Sequence, residues 1–300
     1  MDSPDDTRPP RRAHRLRQAI TIALLAGVVW IIVSRLWELG LANVLAELPT
    51  QPAYYVLFVL IYLALPLSEV FIYHRLWKTP GERLAPVLFR KRVLNAGVLG
   101  YSGEAYLAVW GKENIKRPDV RVLSTIKDNN LVSSFVSTTT TIALAVIALG
   151  PSLFASGEEG RPWSMTAGLA AAAAIVAAGY AFRRRVLSIR GPLLNTVAAT
   201  HALRLNAVLA LQVLQWSLVL PDVPLENWLI LMAAFMLATR IPFLPSYDLV
   251  LLGLGLSLTG VVGAPEAAMA GLFLAGAALS QGANLIVLAA TALFWRGKPD

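Results

Sequence analysis

Apolar runs separated by short polar or basic segments dominate this chain. The runs cover roughly residues 20–32, 54–73, 131–149, 166–182, 203–220, 225–238 and 267–295. Most are long enough to be transmembrane helices, because a hydrocarbon core about 30 Å thick requires about 20 helical residues. The pattern predicts an all-α polytopic membrane protein with about seven to eight helical segments.

Two further apolar stretches, residues 94–110 and 240–256, are interrupted by residues that do not belong in lipid. The interrupting residues are Asn95 and Glu104 in the first stretch, and Arg240, Pro242, Pro245 and Asp248 in the second. An ionised side chain at bilayer depth costs roughly 2.5–3.5 kcal/mol, and broken backbone is tolerated there only inside protein or beside a cavity. We interpret both stretches as broken or re-entrant elements, and such paired elements indicate a substrate site.

Basic residues at the ends of the runs predict the orientation of the chain. They include Arg11, Arg12, Arg15 and Arg17 before the first run, Arg183, Arg184 and Arg185 after the fourth, and Arg296 and Lys298 after the last. Positive residues favour the cytoplasmic side, so both termini are predicted to be cytoplasmic, as are the basic run from Arg90 to Arg92 and a short linker at residues 190–201. Residues 151–161 are predicted to form an outside loop and residues 263–265 a turn. Residues 1–17 should form a disordered basic tail, and residues 18–296 a single transmembrane domain. A cleaved signal peptide is disfavoured, because no small-residue cleavage site follows the first run.

Composition supports the membrane assignment and limits the chemistry. The chain has 300 residues, of which 56% are hydrophobic and 15% charged, and its mean hydropathy is +0.61. The net charge of +8 lies at run ends, where it fits topology and anionic lipid better than nucleic acid. Cysteine is absent and the three histidines are isolated, so we expect no disulfide, metal site or cofactor. Nucleophile and metalloprotease motifs are also lacking, and we therefore expect no enzyme.

Polar residues in the interrupted stretches are the first candidates for function. Glu104 is either an exposed loop carboxylate or a cavity carboxylate that contacts a headgroup or a basic partner. The preceding Ser102 and Gly103 favour the cavity, because glycine allows close backbone approach. Arg240 is either a cytoplasmic anchor or a counter-charge near Asp248.

Other polar residues fall within or beside the apolar runs. Asp128 should cap the helix of the third run at its N-terminus. Glu69 should pair with Arg75 or Arg204, in a structural or a transport role. Arg204, Gln212 and Gln215 should lie near one face of their helix, because their offsets are close to whole helical turns. Gln281 and Asn284 in the last run are expected to face the bundle interior through interhelical hydrogen bonds.

The segment LNAGVLGYSGEAYLAVWGKE resembles the first signature of the lysylphosphatidylglycerol synthase transmembrane region, also called the flippase-like domain family. TIKDNNLVSSF and RIPFLPSYDLVLLGLGLSLTGVVG are similar to its following segments. The matching residues are Asn95, Gly103, Glu104, Asp128, Pro245, Asp248 and Gly263. Tyr106 and Asn129 stand where the family has arginine.

The resemblance implies an integral membrane lipid transporter of the bacterial inner membrane, with membrane lipids as its partners. A polar intramembrane cavity would bind a lipid headgroup where the two broken stretches meet. The candidate binding residues are Asn95, Ser102, Gly103, Glu104, Asp128, Arg204, Arg240, Tyr247 and Asp248. The alternative is a non-transporting partner or scaffold of a lipid-modifying or lipid-glycosylating enzyme. An intramembrane lipid-modifying enzyme ranks third.

Overall fold

The computed structural model describes residues 41–97, 102–155, 187–239 and 247–294, with single positions at 33 and 37 and within 170–186. Its described residues form ten α-helices and no strand. They are α1 (Leu41–Ala46), α2 (Pro52–Trp77), α3 (Gly81–Gly97), α4 (Ser102–Asn114), α5 (Asp119–Ala155), α6 (Gly191–Val219), α7 (Leu225–Ala238), α8 (Tyr247–Ser257), α9 (Thr259–Val262) and α10 (Glu266–Phe294). The predicted tail, the first apolar run and most of the fourth run lie outside the described residues.

Four helices are long and apolar enough to cross a membrane, namely Pro52–Trp77, Asp119–Ala148, Gly191–Val219 and Glu266–Leu293. Large aliphatic side chains remain exposed on them, including Val56, Leu285 and Ile286. Exposed apolar surface of this extent is unfavourable in water and suits contact with lipid. The chain is therefore a helical, membrane-embedded protein, as its hydropathy pattern predicted.

Two helix boundaries correct the sequence prediction. The segment 190–201, read as a cytoplasmic linker, is mostly helical, because α6 begins at Gly191. Helix α5 begins at Asp119, twelve residues before the predicted run, and continues to Ala155, into the predicted outside loop at 151–161. The first turns of α5 contain charged and polar residues that hydropathy does not detect, and Pro192 and Asp119 suit helix starts.

The first interrupted stretch contains a helix break, as predicted. Helix α3 ends at Gly97, α4 begins at Ser102, and the two helices pack against each other. The Ser102 hydroxyl donates to the carbonyl oxygen of Leu94 at 2.7 Å. The backbone N–H of Gly103 donates to Asn95 Oδ1, also at 2.7 Å. These bonds fix the first turn of α4 against the end of α3.

The second interrupted stretch is described only from residue 247 onward. Helix α8 leads into the short α9, and Gly263 then adopts a left-handed backbone conformation with φ of 74°. A side chain would be strained there, which explains the glycine in the predicted turn at residues 263–265. Helices α3 and α8 both pack on α10, so α10 joins the two stretches.

The buried apolar side chains form two clusters. The Trp77 cluster joins the C-terminal half of α2 to α3, α4 and α5, and its largest members include Tyr73, Trp77, Leu88, Leu107 and Trp110. The Trp216 cluster joins the start of α2 to α6, α7, α8 and α10, and its largest members include Tyr54, Trp216, Trp228, Met232 and Phe273. Buried polar and charged side chains, among them Lys91 and Gln215, lie beside these two clusters.

Candidate functional site

Three ionisable side chains from three helices meet beside the Trp77 cluster. Lys91 of α3 is only 3% exposed. Its ammonium donates to Glu69 Oε1 of α2 at 2.5 Å and lies 3.3 Å from Glu104 Oε1 of α4. We call Glu69, Lys91 and Glu104 the charged triad.

Helical periodicity explains why Lys91 and Glu69 point inward. Lys91 continues the buried stripe of α3 formed by Leu84, Val87 and Leu88, at the spacing of three and four residues that marks one helix face. Glu69 begins the corresponding stripe of α2, which continues through Ile72, Tyr73 and Leu76. The two stripes face each other where α2 packs on α3.

Gly103 brings Glu104 to this pair by allowing α4 to approach α3 closely. A Cβ atom at Gly103 would clash with the carbonyl oxygen of Lys91 and lie 2.7 Å from Asn95 Oδ1. Any side chain there would force the two helices apart. The role of Gly103 is thus to set the helix spacing that places Glu104 within reach of Lys91.

The electrostatics of the triad keep Lys91 charged. Burial lowers the pKa of Lys91, but Glu69, Tyr73 and Glu104 together raise it further, so the pKa lies above its ordinary value. Because two carboxylates face one ammonium, the triad alone has a net negative charge. Arg204 of α6 is half-buried within electrostatic range of Glu69 and offsets that charge.

Four buried polar atoms near the triad make no hydrogen bond of good geometry among the described residues, although Tyr73 and Asn129 lie close enough to interact with each other. They are Glu104 Oε2, the Tyr73 hydroxyl, Asn129 Nδ2 and His201 Nδ1. Asn129 Oδ1 and His201 Nε2 lie 2.9 Å apart, which links α5 to α6 at this point. Buried polar atoms in native proteins are nearly always paired with protein or water. This region therefore has spare donors and acceptors for a polar ligand or for ordered water.

A polar cavity of about 90 Å³ lies on the other side of α3, against the Trp216 cluster. We call it the Arg92 cavity. Its polar lining comprises Tyr54, Tyr62, Arg92, Gln212, Gln215 and Ser280, and its apolar lining includes Trp216, Leu251 and Phe273. Leu251 of α8 belongs to the second interrupted stretch, and Arg92 lies on α3 two residues before the first one.

Arg92 occupies an unusual position in this cavity. Its guanidinium carbon lies 4.1 Å from the centre of the Tyr62 ring. Its Nε atom is buried without a hydrogen-bond partner among the described residues. The ion pairs found between described residues involve Lys91, Lys112 and Lys127, and Arg92 is in none of them.

Neutral hydrogen bonds hold the rest of the cavity wall. Gln212 Nε2 donates to Gln215 Oε1 at 2.6 Å, and Gln215 Nε2 donates to the carbonyl oxygen of Tyr54 at 2.8 Å. Across the cavity, the Tyr62 hydroxyl donates to Asn284 Oδ1 at 2.8 Å. The predicted inward position of Asn284 is observed, but the prediction was wrong for Gln281, which is exposed.

The structure assigns the predicted site residues to different tasks. Glu104 belongs to the triad, and Arg204 lies near it. The contacts described between α3 and α4 are made by Asn95, Ser102 and Gly103. Glu69 pairs with Lys91 rather than with Arg75 or Arg204, because Lys91 shares its buried face while Arg75 is exposed beside Phe71.

The predicted capping role of Asp128 was wrong, because α5 begins nine residues earlier, at Asp119. Asp128 is fully buried instead. Its Oδ2 accepts the backbone N–H groups of Ser188 at 2.6 Å and Ile189 at 2.9 Å. Asp128 thereby fixes the segment that leads into α6.

Three predicted site residues cannot be placed in a site. Arg240 lies outside the described residues. Tyr247 and Asp248 form the first turn of α8, but their side chains lie outside the described part of the chain. The predicted approach of Asp248 to Glu104 therefore stays a prediction.

Sequence reasoning missed Lys91, Arg92 and His201. The basic run Arg90–Arg92 was interpreted as a cytoplasmic marker. Consecutive residues on a helix point about 100° apart, so the three side chains cannot all have the same surroundings. The buried stripe through Leu84, Val87 and Leu88 was the signal that Lys91 faces inward. His201 lies in the segment 190–201, which was predicted to be a linker, so the sequence pattern did not indicate that His201 is in a helix.

Comparisons of this chain with protein-family models, curated proteins and solved structures found no match. Within the described ranges, no group of three or more histidine, aspartate or glutamate side chains is arranged to hold a metal ion. The argument for function therefore rests on the charged triad, its spare polar atoms and the Arg92 cavity.

Proposed function

We propose that this protein binds the polar headgroup of a membrane lipid in the interior between α2, α3, α4 and α6 and moves the lipid between leaflets. The observation that carries the proposal is the set of buried polar atoms beside the charged triad that lack a hydrogen bond of good geometry, above all Glu104 Oε2 and His201 Nδ1. Ionisable residues inside a membrane protein are costly and by default indicate a functional pathway. A headgroup is the polar ligand that membrane surroundings supply at highest concentration.

The buried polar atoms beside the triad include both donors and acceptors, which favours a headgroup that also has both. Glu104 Oε2 can accept a hydrogen bond, Asn129 Nδ2 can donate one, and the Tyr73 hydroxyl can do either. Glycerol, sugar and amine headgroups all present such groups. The proposal assigns binding and movement to these residues, and no bond-making step.

The sequence resemblance adds independent support. The segment with Asn95, Gly103 and Glu104 resembles a signature of the flippase-like domain family, and Glu104 is the residue through which this segment reaches the triad. In this proposal the chain is a divergent relative of that family. It would lie in a bacterial inner membrane with both termini in the cytoplasm.

The test is a leaflet-exchange assay in reconstituted vesicles that contain headgroup-labelled fluorescent lipids. Dithionite quenches only the fluorescent labels in the outer leaflet, which are about half of the signal. When lipids move between the leaflets, the labels of the inner leaflet are quenched as well. Wild-type protein should accelerate exchange over empty vesicles, and Glu104→Gln should slow it at least fivefold. Glu113→Gln is the matched control, because Glu113 lies on the same helix but is exposed.

Two outcomes would contradict the proposal. If wild-type protein exchanges no lipid faster than empty vesicles, translocation is wrong and a non-transporting partner role is favoured. If Glu104→Gln and Glu113→Gln exchange lipid equally fast, the triad region does not contact the moving headgroup. Thermal unfolding of each purified variant separates loss of function from loss of fold.

A further inference from the structure

We infer that the Arg92 cavity is a binding site for a phosphate group, and that this group is the phosphodiester of the lipid headgroup. The inference rests on the proposed function, which it extends from a headgroup of any kind to a phospholipid. Its starting point is the contrast between neighbouring cations, since Lys91 faces two carboxylates while Arg92 has none among its described neighbours.

The charge of the cavity favours an anion. The cavity lining contains one arginine and no aspartate or glutamate among the described residues. A guanidinium stays protonated at all relevant pH values, so the wall has an uncompensated positive charge. A partly buried cation of this kind is costly unless an anion accompanies it. The structure thus has a place for an anion that the described chain does not supply.

The donor geometry favours phosphate over a halide or a simple carboxylate. The Arg92 guanidinium carbon lies over the Tyr62 ring, 4.1 Å from its centre, in a cation–π contact that restricts the movement of the side chain. A guanidinium presents parallel N–H donors that match two oxygens of a phosphate. Gln212 uses one hydrogen of its amide for Gln215, which leaves the other for a further oxygen, and the Ser280 hydroxyl lines the same space.

The size of the cavity is sufficient for a phosphate group. A single water molecule needs about 10–15 Å³ of the volume open to a water-sized probe, and the cavity offers about 90 Å³ on the same measure. A group of several heavy atoms, such as a phosphate, therefore fits.

The experiment measures binding to delipidated, detergent-solubilised wild-type protein by calorimetry with three soluble probes. These are dihexanoyl phosphatidylglycerol, dihexanoylglycerol without phosphate, and inorganic phosphate. The phospholipid should bind, and dihexanoylglycerol should bind at least tenfold more weakly. Arg92→Gln should weaken phospholipid binding at least tenfold. Arg90→Gln is the matched control and should stay within twofold of wild type, because Arg90 lies over Tyr106, outside the cavity lining.

Arg92→Lys keeps the test decisive if Arg92→Gln fails to fold. This variant keeps the charge but loses the paired donors, so phospholipid binding should weaken about three- to tenfold. Unchanged affinity in folded Arg92→Lys, or in folded Arg92→Gln, would overturn the site. Equal binding of dihexanoylglycerol and the phospholipid would also overturn it. Arg92-dependent binding of inorganic phosphate alone would keep the phosphate site and overturn its lipid source.

Failure of this inference differs from failure of the proposed function. If wild-type protein exchanges lipid while Arg92→Gln binds the phospholipid normally, transport stands and the phosphate site falls. If Arg92 is required for phospholipid binding but wild-type protein exchanges no lipid, the phosphate site stands and transport falls.

Discussion

Lys91 and Arg92 are adjacent in sequence but have opposite surroundings. The Lys91 ammonium is buried between Glu69 and Glu104, at 2.5 and 3.3 Å. The Arg92 guanidinium faces a cavity that no described carboxylate lines. A rotation of about 100° around the helix axis, the step between consecutive residues, separates a cation paired with described carboxylates from one that has no such pair among the described residues.

This difference separates two roles for charge inside a membrane protein. A cation already paired with carboxylates contributes to folding, since removing it would leave buried negative charge. A cation without a partner adds little to folding and is available to a ligand. Loss of Lys91 should therefore mainly reduce stability, and loss of Arg92 should mainly reduce binding. The following predictions test this division on the stability side.

Lys91→Met should have the largest effect. It leaves Glu69 and Glu104 facing each other in a buried site, and breaking a buried pair in this way costs roughly 3–5 kcal/mol. Thermal unfolding of the detergent-solubilised variant measures the loss. Lys112→Met is the control, because its pair with Asp119 is exposed and 3.5 Å long and should contribute about 0–1 kcal/mol. Equal stability of the two variants would remove the distinction between balanced and unbalanced cations.

Asp128→Ala should rank second. Two backbone N–H groups, those of Ser188 and Ile189, would lose a charged acceptor, and hydrogen bonds to charged groups contribute roughly 1.5–3 kcal/mol. Hydrogen exchange at Ser188 and Ile189 should speed up locally, together with a lower melting temperature. Unchanged protection of these amides would show that Asp128 does not hold the segment before α6.

Gly103→Ala should destabilise by roughly 1–3 kcal/mol, the usual cost of overpacking, because its Cβ would press against the backbone of Lys91. The variant should also slow lipid exchange, since Glu104 would move away from Lys91. Gly282→Ala is the matched control, because a Cβ there meets nothing within 4 Å and alanine favours a helix interior by up to about 1 kcal/mol. Destabilisation by both substitutions would point to a general glycine effect rather than to close helix packing.

Glu69→Gln should be more destabilising than Glu104→Gln, with a difference of about 1 kcal/mol. Glu69 makes the shorter bond to Lys91, and its side chain is 7% exposed, against 16% for Glu104. In the exchange assay the order should reverse, because Glu104 has the unpartnered oxygen. The same ranking in both measurements would show that stability alone determines the rate of exchange.

Four of the predicted apolar runs coincide with described helices that are long enough to cross a membrane, because long apolar runs report directly on burial in lipid. The sequence also located the break near Asn95 and the turn at Gly263, where glycine and polar residues mark irregular backbone. Pairings across helices were not predictable in this way. Whether Glu69 meets Lys91, Arg75 or Arg204 depends on how α2 and α3 face each other, and hydropathy does not contain that information.

Basic residues were the main source of error. Positive charge near a membrane span usually marks the cytoplasmic side, and that rule was applied to the whole run from Arg90 to Arg92. Lys91 continues a buried stripe, so helical periodicity was the better guide to its position. Asp128 was misjudged for a related reason, since the polar first turns of α5 concealed the true helix start.

The most direct test of the account is solid-state NMR of the wild-type protein in phosphatidylglycerol bilayers, with nitrogen-15 in the arginine guanidinium groups. Dephasing of the guanidinium nitrogens by lipid phosphorus reports close arginine–phosphate contacts. Arginines at the membrane surface contribute dephasing in every variant. We expect an additional strongly dephased component that is present in wild type, Arg90→Gln and Lys112→Met and is absent in Arg92→Gln. Identical dephasing in wild type and folded Arg92→Gln would show that no lipid phosphate lies at Arg92, and would contradict the account.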